Sequence, residues 1–207
     1  MDLRNKVVFF VTTLVILTLG CTRVMVPPAV DLKSFEPVGI VTFNCNAEGS
    51  LEQFITQRFI ERATQDQKLV KFIRLGTEAE VLKAVDKTSL DPDAIKAIAQ
   101  KYNVNSVFTG NVDISDVRPK INIVPGLWYV GAQADVEAKF AVSMLEVEDG
   151  AVIWAGSSRA KRTVGHVSFL SGGHFSFDAQ DPENSYGELV EELLKKATKD
   201  FRVTYHW

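Results

Sequence analysis

The most regular feature of the chain is an alternation of apolar and polar residues between positions 130 and 144. The apolar members are Val130, Ala132, Ala134, Val136, Ala138, Phe140, Val142 and Met144. Successive side chains of a β-strand point to opposite faces, so a period of two predicts one long strand with a single buried face. Asp149-Gly150 follows and is a strong hairpin signal. The chain is therefore expected to return antiparallel through Val152–Trp154.

Three shorter apolar stretches predict further strands. They are Pro37–Phe43, Leu69–Leu75 and Ser106 to about Val117. The first is apolar at nearly every position, and a strand that is apolar on both faces is typical of the middle of a sheet.

Helical patterns separate these strands. Apolar residues recur at helical spacing after Ser50, after Asp91 and after Ser185, and a shorter helix is expected between Thr77 and Val85. Capping boxes are predicted for Ser50 with Gln53, Thr77 with Glu80, and Ser185 with Glu188. Asp91 is the predicted N-cap of the third helix, with Pro92 at its first position. The order βαβααβββα predicts one α/β domain: a mixed β-sheet with a long antiparallel hairpin and flanking helices.

Residues 1–20 have the character of a signal peptide. Arg4 and Lys6 precede an apolar run from Val7 to Leu19. A helix needs about 20 apolar residues to span a bilayer, so this run is too short to be a membrane anchor. It ends in Leu17-Thr18-Leu19-Gly20-Cys21, which resembles the bacterial lipobox. The prediction is cleavage before Cys21 and acylation of that cysteine, for example with palmitate; the alternative is an ordinary signal peptide in which Cys21 is incidental.

Acylation at Cys21 would hold the mature protein on a membrane, because each buried CH₂ contributes about 0.8 kcal/mol. Thr22, rather than aspartate, follows the cysteine, which in Gram-negative bacteria resembles the signal for sorting to the outer membrane. The predicted location is therefore the outer membrane, lipid-anchored and facing the periplasm. Residues 21–36 are predicted to be the lipidated cysteine and a tether, since Pro27-Pro28 and Pro37 oppose regular structure. Residues 37–207 are predicted to be the folded domain.

Composition narrows the function classes. The 207 residues suffice for one domain with a core, and the net charge of −3 is too small to indicate nucleic acid as a partner. Once Cys21 is acylated, Cys45 is the remaining thiol, so no internal disulfide is expected. Cys45 is predicted to be a small core residue; a reactive thiol is the alternative.

The sequence offers little for catalysis. It contains no G-x-S-x-G, no H-E-x-x-H and no P-loop. His166 and His174 flank a glycine turn without further ligands nearby, so no metal site is predicted. Four carboxylates lie on the predicted strands and could do acid–base work or pair with basic residues of the returning strand. They are Asp113, Asp116, Asp135 and Glu137, and the basic residues are Arg159, Lys161 and Arg162. The prediction is a protein that is not an enzyme and has no cofactor and no small-molecule substrate.

Three stretches together resemble the CsgG/LpoB superfamily of periplasmic lipoproteins, which includes TolB N-terminal-like domains. They are Val38–Phe43, Ala97–Val112 with its Thr-Gly-Asn-Val ending, and Ala141–Trp154 with its Asp-Gly-Ala-Val-Ile-Trp turn. The likeness covers roughly residues 36–205. It implies an α/β domain that works through protein contacts rather than catalysis.

The resemblance leaves three functions open. Curli-type members are secretion channels with two inserted hairpins per subunit. Here the candidate hairpins are Ile121–Val130, interrupted by Pro125-Gly126, and Val164–Phe177, whose arms are short. LpoB-type members activate a peptidoglycan synthase across a long tether, and the tether here is short. The remaining hypothesis is an envelope assembly or adaptor module that binds an envelope protein or itself.

Aromatic side chains on loops are common interface anchors. The candidate partner contacts are Trp128, Tyr129, Phe169, His174 and Phe175. The alternative is that these side chains pack back onto the sheet.

Overall fold

The computed structural model describes residues 24–122, 131–165, 167–169, 175–177 and 181–206. The predicted signal peptide, the lipidation site Cys21 and the candidate contacts Trp128, Tyr129 and His174 lie outside the described residues. Among the described residues, no helix has both the length and the apolar character needed to span a bilayer.

Eleven strands and four α-helices make up the described part of the chain. The strands are β1 (Val24–Val26), β2 (Val38–Val41), β3 (Asn44–Cys45), β4 (Glu48–Gly49), β5 (Phe72–Gly76), β6 (Ser106–Asn122), β7 (Gly131–Glu146), β8 (Val152–Gly165), β9 (Val167–Phe169), β10 (Phe175–Phe177) and β11 (Thr204–His206). The helices are α1 (Leu51–Thr64), α2 (Glu78–Ala84), α3 (Pro92–Tyr102) and α4 (Pro182–Ala197), and short 3₁₀ turns lie at Leu32–Phe35 and Lys199–Phe201.

The main sheet has the order β5-β2-β6-β7-β8, with β3 also paired to β6. β2 runs parallel to β5 and β6, whereas β6, β7 and β8 are antiparallel to one another. All four residues of β2 are buried, as expected for a strand inside the sheet. The predicted α/β class, mixed sheet and long antiparallel hairpin are confirmed.

The hairpin of β6 and β7 is longer than predicted. β6 was expected to end at about Val117, yet its pairing with β7 continues from Ser106↔Glu146 to Asn122↔Gly131, with one irregularity between Ile114 and Asp116. Pro119 lies within this stretch; proline is tolerated where a strand is an edge, and no strand of the described residues pairs with the other side of β6 there. We call the Ser106/Glu146 end of the sheet proximal and the Asn122/Gly131 end distal.

Helices cover the two faces of the long strands unequally. α1 and α4 pack on one face over a large aromatic core. Its centre is Phe59, whose ring meets those of Phe43, Phe108, Phe140 and Phe201 at centroid distances of 5.1 to 6.4 Å. The apolar positions predicted for β7 between Ala134 and Met144 are buried in this layer, which confirms the alternation. α2 and α3 pack on the other face and form a smaller core near Val107.

Two of the predicted N-caps are confirmed. Thr77 and Glu80 form a complete capping box, and Asp91 accepts a hydrogen bond from the backbone N–H of Ala94 at 2.8 Å.

The other two capping-box predictions are wrong. Ser50 occupies the N-cap position of α1, but its side chain makes no capping bond and its hydroxyl lies 2.8 Å from that of Tyr186. α4 begins at Pro182, one turn before the predicted cap, since Asp181 accepts from Asn184 N and proline suits the first helical position. Ser185 is therefore inside the helix and donates to the Asp181 carbonyl at 2.8 Å.

The tether predicted for residues 21–36 is wrong over its described part, residues 24–36. β1 pairs antiparallel with β11 at the C-terminus, and Leu32 is fully buried in the main core. The side chain of Gln67 secures the segment: Nε2 donates to the Val30 and Phe201 carbonyls at 3.0 and 2.8 Å, and Oε1 accepts from Leu32 N at 3.1 Å. The prolines prevent a long regular element but not docking onto the domain.

The described residues of the second candidate hairpin, Val164–Phe177, pair with the body of the domain. β9 and β10 are three residues each and pair with one another, and β10 also pairs parallel with β4. The backbone positions Phe169 and Phe175 face each other in this pairing.

Candidate functional site

One side of β6, β7 and β8 carries a polar surface that the helices of the described residues leave largely open. α2 and α3 cover this side only at the proximal end, around Val107 and Leu145. Beyond them, residues of alternating positions on the three strands are exposed or half-buried. We call this set the open face: Thr109, Asn111, Asp113, Glu137, Lys139, Ala141, Ser143, Ala155, Ser157, Arg159 and Lys161.

Strand register arranges the open face in rows. Asp113 lies opposite Lys139, which lies opposite Arg159; the neighbouring row is Asn111, Ala141 and Ser157. Adjacent strands are about 4.8 Å apart, so each row spans roughly 10 Å. Between these rows lies a shallow depression of about 550 Å³. The depression forms because the side chains of Ala141 and Ser157 are small, whereas the long side chains of Lys139 and Arg159 line its edge.

The charges of the open face are only partly paired. Arg159 Nε lies 3.5 Å from the Glu137 carboxylate, in an ion pair whose arginine is 62% exposed. Such a surface pair is worth at most about 1 kcal/mol, so the guanidinium can exchange Glu137 for another carboxylate at little cost. Within the described residues, no carboxylate lies within ion-pairing distance of the Lys139 ammonium.

Asn46 fixes the acidic edge of the open face. Its Nδ2 donates to Asp113 Oδ1 at 2.9 Å, and its Oδ1 accepts from the backbone N–H of Ile114 at 2.8 Å. Asn46 was not among the predicted site residues. No periodicity or motif marks it, because its role depends on the parallel pairing of β3 with β6.

Of the basic residues expected to pair with carboxylates on the neighbouring strands, Arg159 does so, with Glu137. Arg162 points to the opposite side of the sheet and binds Glu192 of α4 at 2.5 Å. Glu192 also accepts from Lys196 at 2.8 Å, and the pKa of the Glu192 carboxyl is lowered chiefly by that bond. This cluster ties α4 to β8 and does not belong to the open face.

Strand register gives the carboxylates considered for acid–base work different neighbours. Asp113 lies opposite Lys139 and Asp135 opposite Arg118, and Asp135 accepts a hydrogen bond from Thr163 Oγ1 at 2.6 Å. Glu137 pairs with Arg159, and the backbone position of Asp116 lies opposite that of Glu137. Within the ranges that the structure describes, no cluster of three His, Cys, Asp or Glu side chains could hold a metal ion.

Cys45 lies half-buried in β3 against the main core. Burial raises the pKa of its thiol, and a backbone N–H from Ala47 only partly opposes this. A thiol whose pKa is raised is a weak nucleophile at neutral pH, so the packing favours the core role over the reactive one.

No protein-family model matches the sequence, and no curated protein matches it. Several solved structures match the chain at low sequence identity. The PelC dodecamer from Paraburkholderia phytofirmans is 12% identical with a TM-score of 0.47, covering 87% of this chain and 96% of that one. Lipoprotein GNA1162 from Neisseria meningitidis is 10% identical with a TM-score of 0.37, covering 61% and 82%.

The LpoB C-terminal domain from Salmonella enterica is 13% identical with a TM-score of 0.39, covering 66% of this chain and 86% of that one. Each is a distant likeness. The resemblance to the CsgG/LpoB superfamily stays a prediction.

Proposed function

We propose that this chain is a lipoprotein of the bacterial cell envelope, acylated at Cys21, held on the outer membrane facing the periplasm, and acting as a non-enzymatic adaptor through protein–protein contacts. The observation that carries the adaptor role is the open face: a polar, mixed-charge surface across three long strands that no element of the described residues covers.

The chemistry of the open face suits a protein partner better than a small molecule. Small-molecule sites are typically concave and mostly apolar, whereas the depression here is shallow and rimmed by Lys139 and Arg159. Asp113 and Glu137 share the open face with Lys139, Arg159 and Lys161. The surface therefore carries both charges and is complementary to another mixed-charge protein surface rather than to a polyanion.

The length of the hairpin supports a role away from the anchored end. The 17 residues of β6 rise about 3.3 Å each, so its distal end lies about 55 Å from its proximal end. A partner could therefore be met well above the membrane surface without a long tether.

The anchor is tested with the substitution Cys21→Ser. Acylation predicts that the parent protein labels with an alkyne analogue of palmitate, gains the mass of its acyl chains and fractionates with membranes. Loss of all three properties in the variant is the expected result. An unchanged mass and fractionation would refute the anchor.

The adaptor role is tested by photo-crosslinking in cells from position Ser157. We expect a crosslinked product of defined mass that disappears with Lys139→Glu. The matched control is Lys195→Glu, the same charge change on an exposed residue of α4 away from the open face. Loss of the product in both variants would argue for an indirect effect of charge, and ion-conducting pores in planar bilayers would favour a channel subunit instead.

A further inference from the structure

The exposed large apolar side chains of the described residues gather at the proximal end of the domain. They are Val24, Met25, Val26, Leu69, Val152, Ile153 and Tyr205. Four of them belong to the ribbon formed by β1 and β11, which pair antiparallel as Val24↔His206, Met25↔Tyr205 and Val26↔Thr204.

Hydrogen bonds place the segments that carry the other three at the same end of the domain. Leu69 lies two residues after Gln67, whose amide bonds to the carbonyls of Val30 and Phe201. Val152 and Ile153 directly precede Trp154, whose indole N–H donates to Asp200 at 3.1 Å. The chain then runs from Asp200 into β11.

Both faces of the ribbon carry exposed apolar side chains. Neighbouring side chains of a strand point to opposite faces, so Val24 and Val26 share one face and Met25 lies on the other. Val24 is 59% exposed and Met25 61%, which means that the domain covers neither face. Exposed apolar strands of this kind are normally avoided or covered by a partner.

Neither strand of the ribbon contains an acidic residue, and Asp66, which lies beside the start of β11, is ion-paired with Arg202. Residues 21–30 and 201–207 contain no aspartate or glutamate, and their charged residues are Arg23 and Arg202. Tyr205, at 56% exposure, and the following Trp207 are the aromatic types enriched at the boundary between lipid and water.

The number of residues between Cys21 and the ribbon limits how far the ribbon can lie from the membrane. Val24 is the third residue after Cys21, and three fully extended residues reach only about 11 Å. The headgroup region of a bilayer leaflet is about 5–8 Å thick. A cysteine whose acyl chains lie in the bilayer therefore keeps Val24 within roughly one headgroup layer of the membrane surface.

We propose that the β1–β11 ribbon is a membrane-contact surface, whose occupant is the headgroup region of the phospholipid bilayer that carries the lipid on Cys21. This inference rests on the proposed acylation. It fixes the orientation of the domain: the proximal end lies on the membrane, and the hairpin of β6 and β7 points away from it, toward the partner.

The test places a nitroxide spin label on the ribbon of the mature lipidated protein, reconstituted in phosphatidylethanolamine–phosphatidylglycerol vesicles. Labels are attached at Met25→Cys and, separately, at Tyr205→Cys, in a Cys45→Ala background. The control label is at Ala141→Cys, an exposed site on the open face. Collision with dissolved oxygen and with a water-soluble nickel chelate is then measured for each label.

We expect the two ribbon labels to collide more with oxygen and less with the nickel chelate than the control does. Equal nickel accessibility at ribbon and control sites, in protein that carries its acyl mass, would overturn the membrane contact alone. Absence of the acyl mass from the same sample would overturn the anchor, and with it this inference.

Discussion

Asp66 accepts a hydrogen bond from Arg202 Nε at 2.7 Å, joining residues 136 positions apart in the chain. The same carboxylate oxygen accepts from the backbone N–H of Val203 at 3.1 Å. Asp66 lies in the loop after α1, and Val203 directly precedes β11. This pair therefore fastens the C-terminal strand of the ribbon to the body of the domain.

Replacement of Asp66 by asparagine should lower the free energy of unfolding by about 1 kcal/mol at neutral pH. The Arg202 hydrogen bond is the main cause of the lowered pKa of Asp66. A lowered folded-state pKa contributes stability above the unfolded pKa, near 3.9, and that stability is lost as the pH falls through the folded value. The difference between parent and Asp66→Asn should thus shrink between pH 7 and pH 3, as measured by urea unfolding.

Glu148→Gln is the control for this experiment, since Glu148 is exposed in the turn after β7. It should leave the unfolding midpoint unchanged at both pH values. A pH-independent loss in Asp66→Asn would contradict the electrostatic account and indicate that only packing was disturbed.

Gln67→Leu should release the N-terminal segment from the domain. The three hydrogen bonds of the Gln67 amide satisfy backbone groups of Val30, Leu32 and Phe201, and leaving a buried backbone group unsatisfied costs about 1–3 kcal/mol. We expect faster amide hydrogen exchange over residues 24–35 and a lower unfolding midpoint. Gln65→Leu is the matched control, because Gln65 is exposed; comparable exchange in both variants would mean that Gln67 does not secure the segment.

Gly156→Ala should destabilise the domain, whereas Gly165→Ala on the same strand should not. A Cβ at Gly156 would lie 2.6 Å from the Ala197 carbonyl oxygen and 2.7 Å from the Trp154 ring, so β8 and the end of α4 would have to separate. Overpacking of this kind costs about 1–3 kcal/mol. A Cβ at Gly165 meets nothing within 4 Å. Thermal unfolding of both variants checks the contrast, which fails if their midpoints fall equally.

Local patterns predicted the regular elements well, and long-range contacts explain what they missed. The alternation of β7, the Thr77–Glu80 box and the Asp91 cap are each encoded within a few residues, so the sequence predicts them directly. Ser50 has the right local spacing for a cap, but its hydroxyl is engaged by Tyr186, 136 residues away. A pattern of a few consecutive residues cannot show such a contact.

In the candidate site, too, local patterns predicted some features, and contacts between distant segments determined the others. The polar residues of β7 were expected on one face, and the structure places Lys139 and Glu137 there. What the sequence could not predict was which part of that face the helices leave open, since this depends on how α2 and α3 pack. Asn46 and the docking of residues 24–36 depend likewise on contacts between segments distant in the chain.

Cys45 should react slowly with alkylating reagents at neutral pH. Burial raises the pKa of its thiol, so the thiolate, which is the nucleophile, is scarce at pH 7.5 and increases as the pH rises through the alkaline range. The measurement is the rate of iodoacetamide alkylation of the folded, mature protein, followed by mass spectrometry between pH 7 and pH 10. An exposed cysteine introduced by Ala141→Cys provides the internal reference in the same molecule. Cys45 should be modified more slowly than this reference throughout, and unfolding in urea should abolish the difference. Equal rates in the folded protein would instead indicate an accessible thiol and favour the reactive alternative for Cys45.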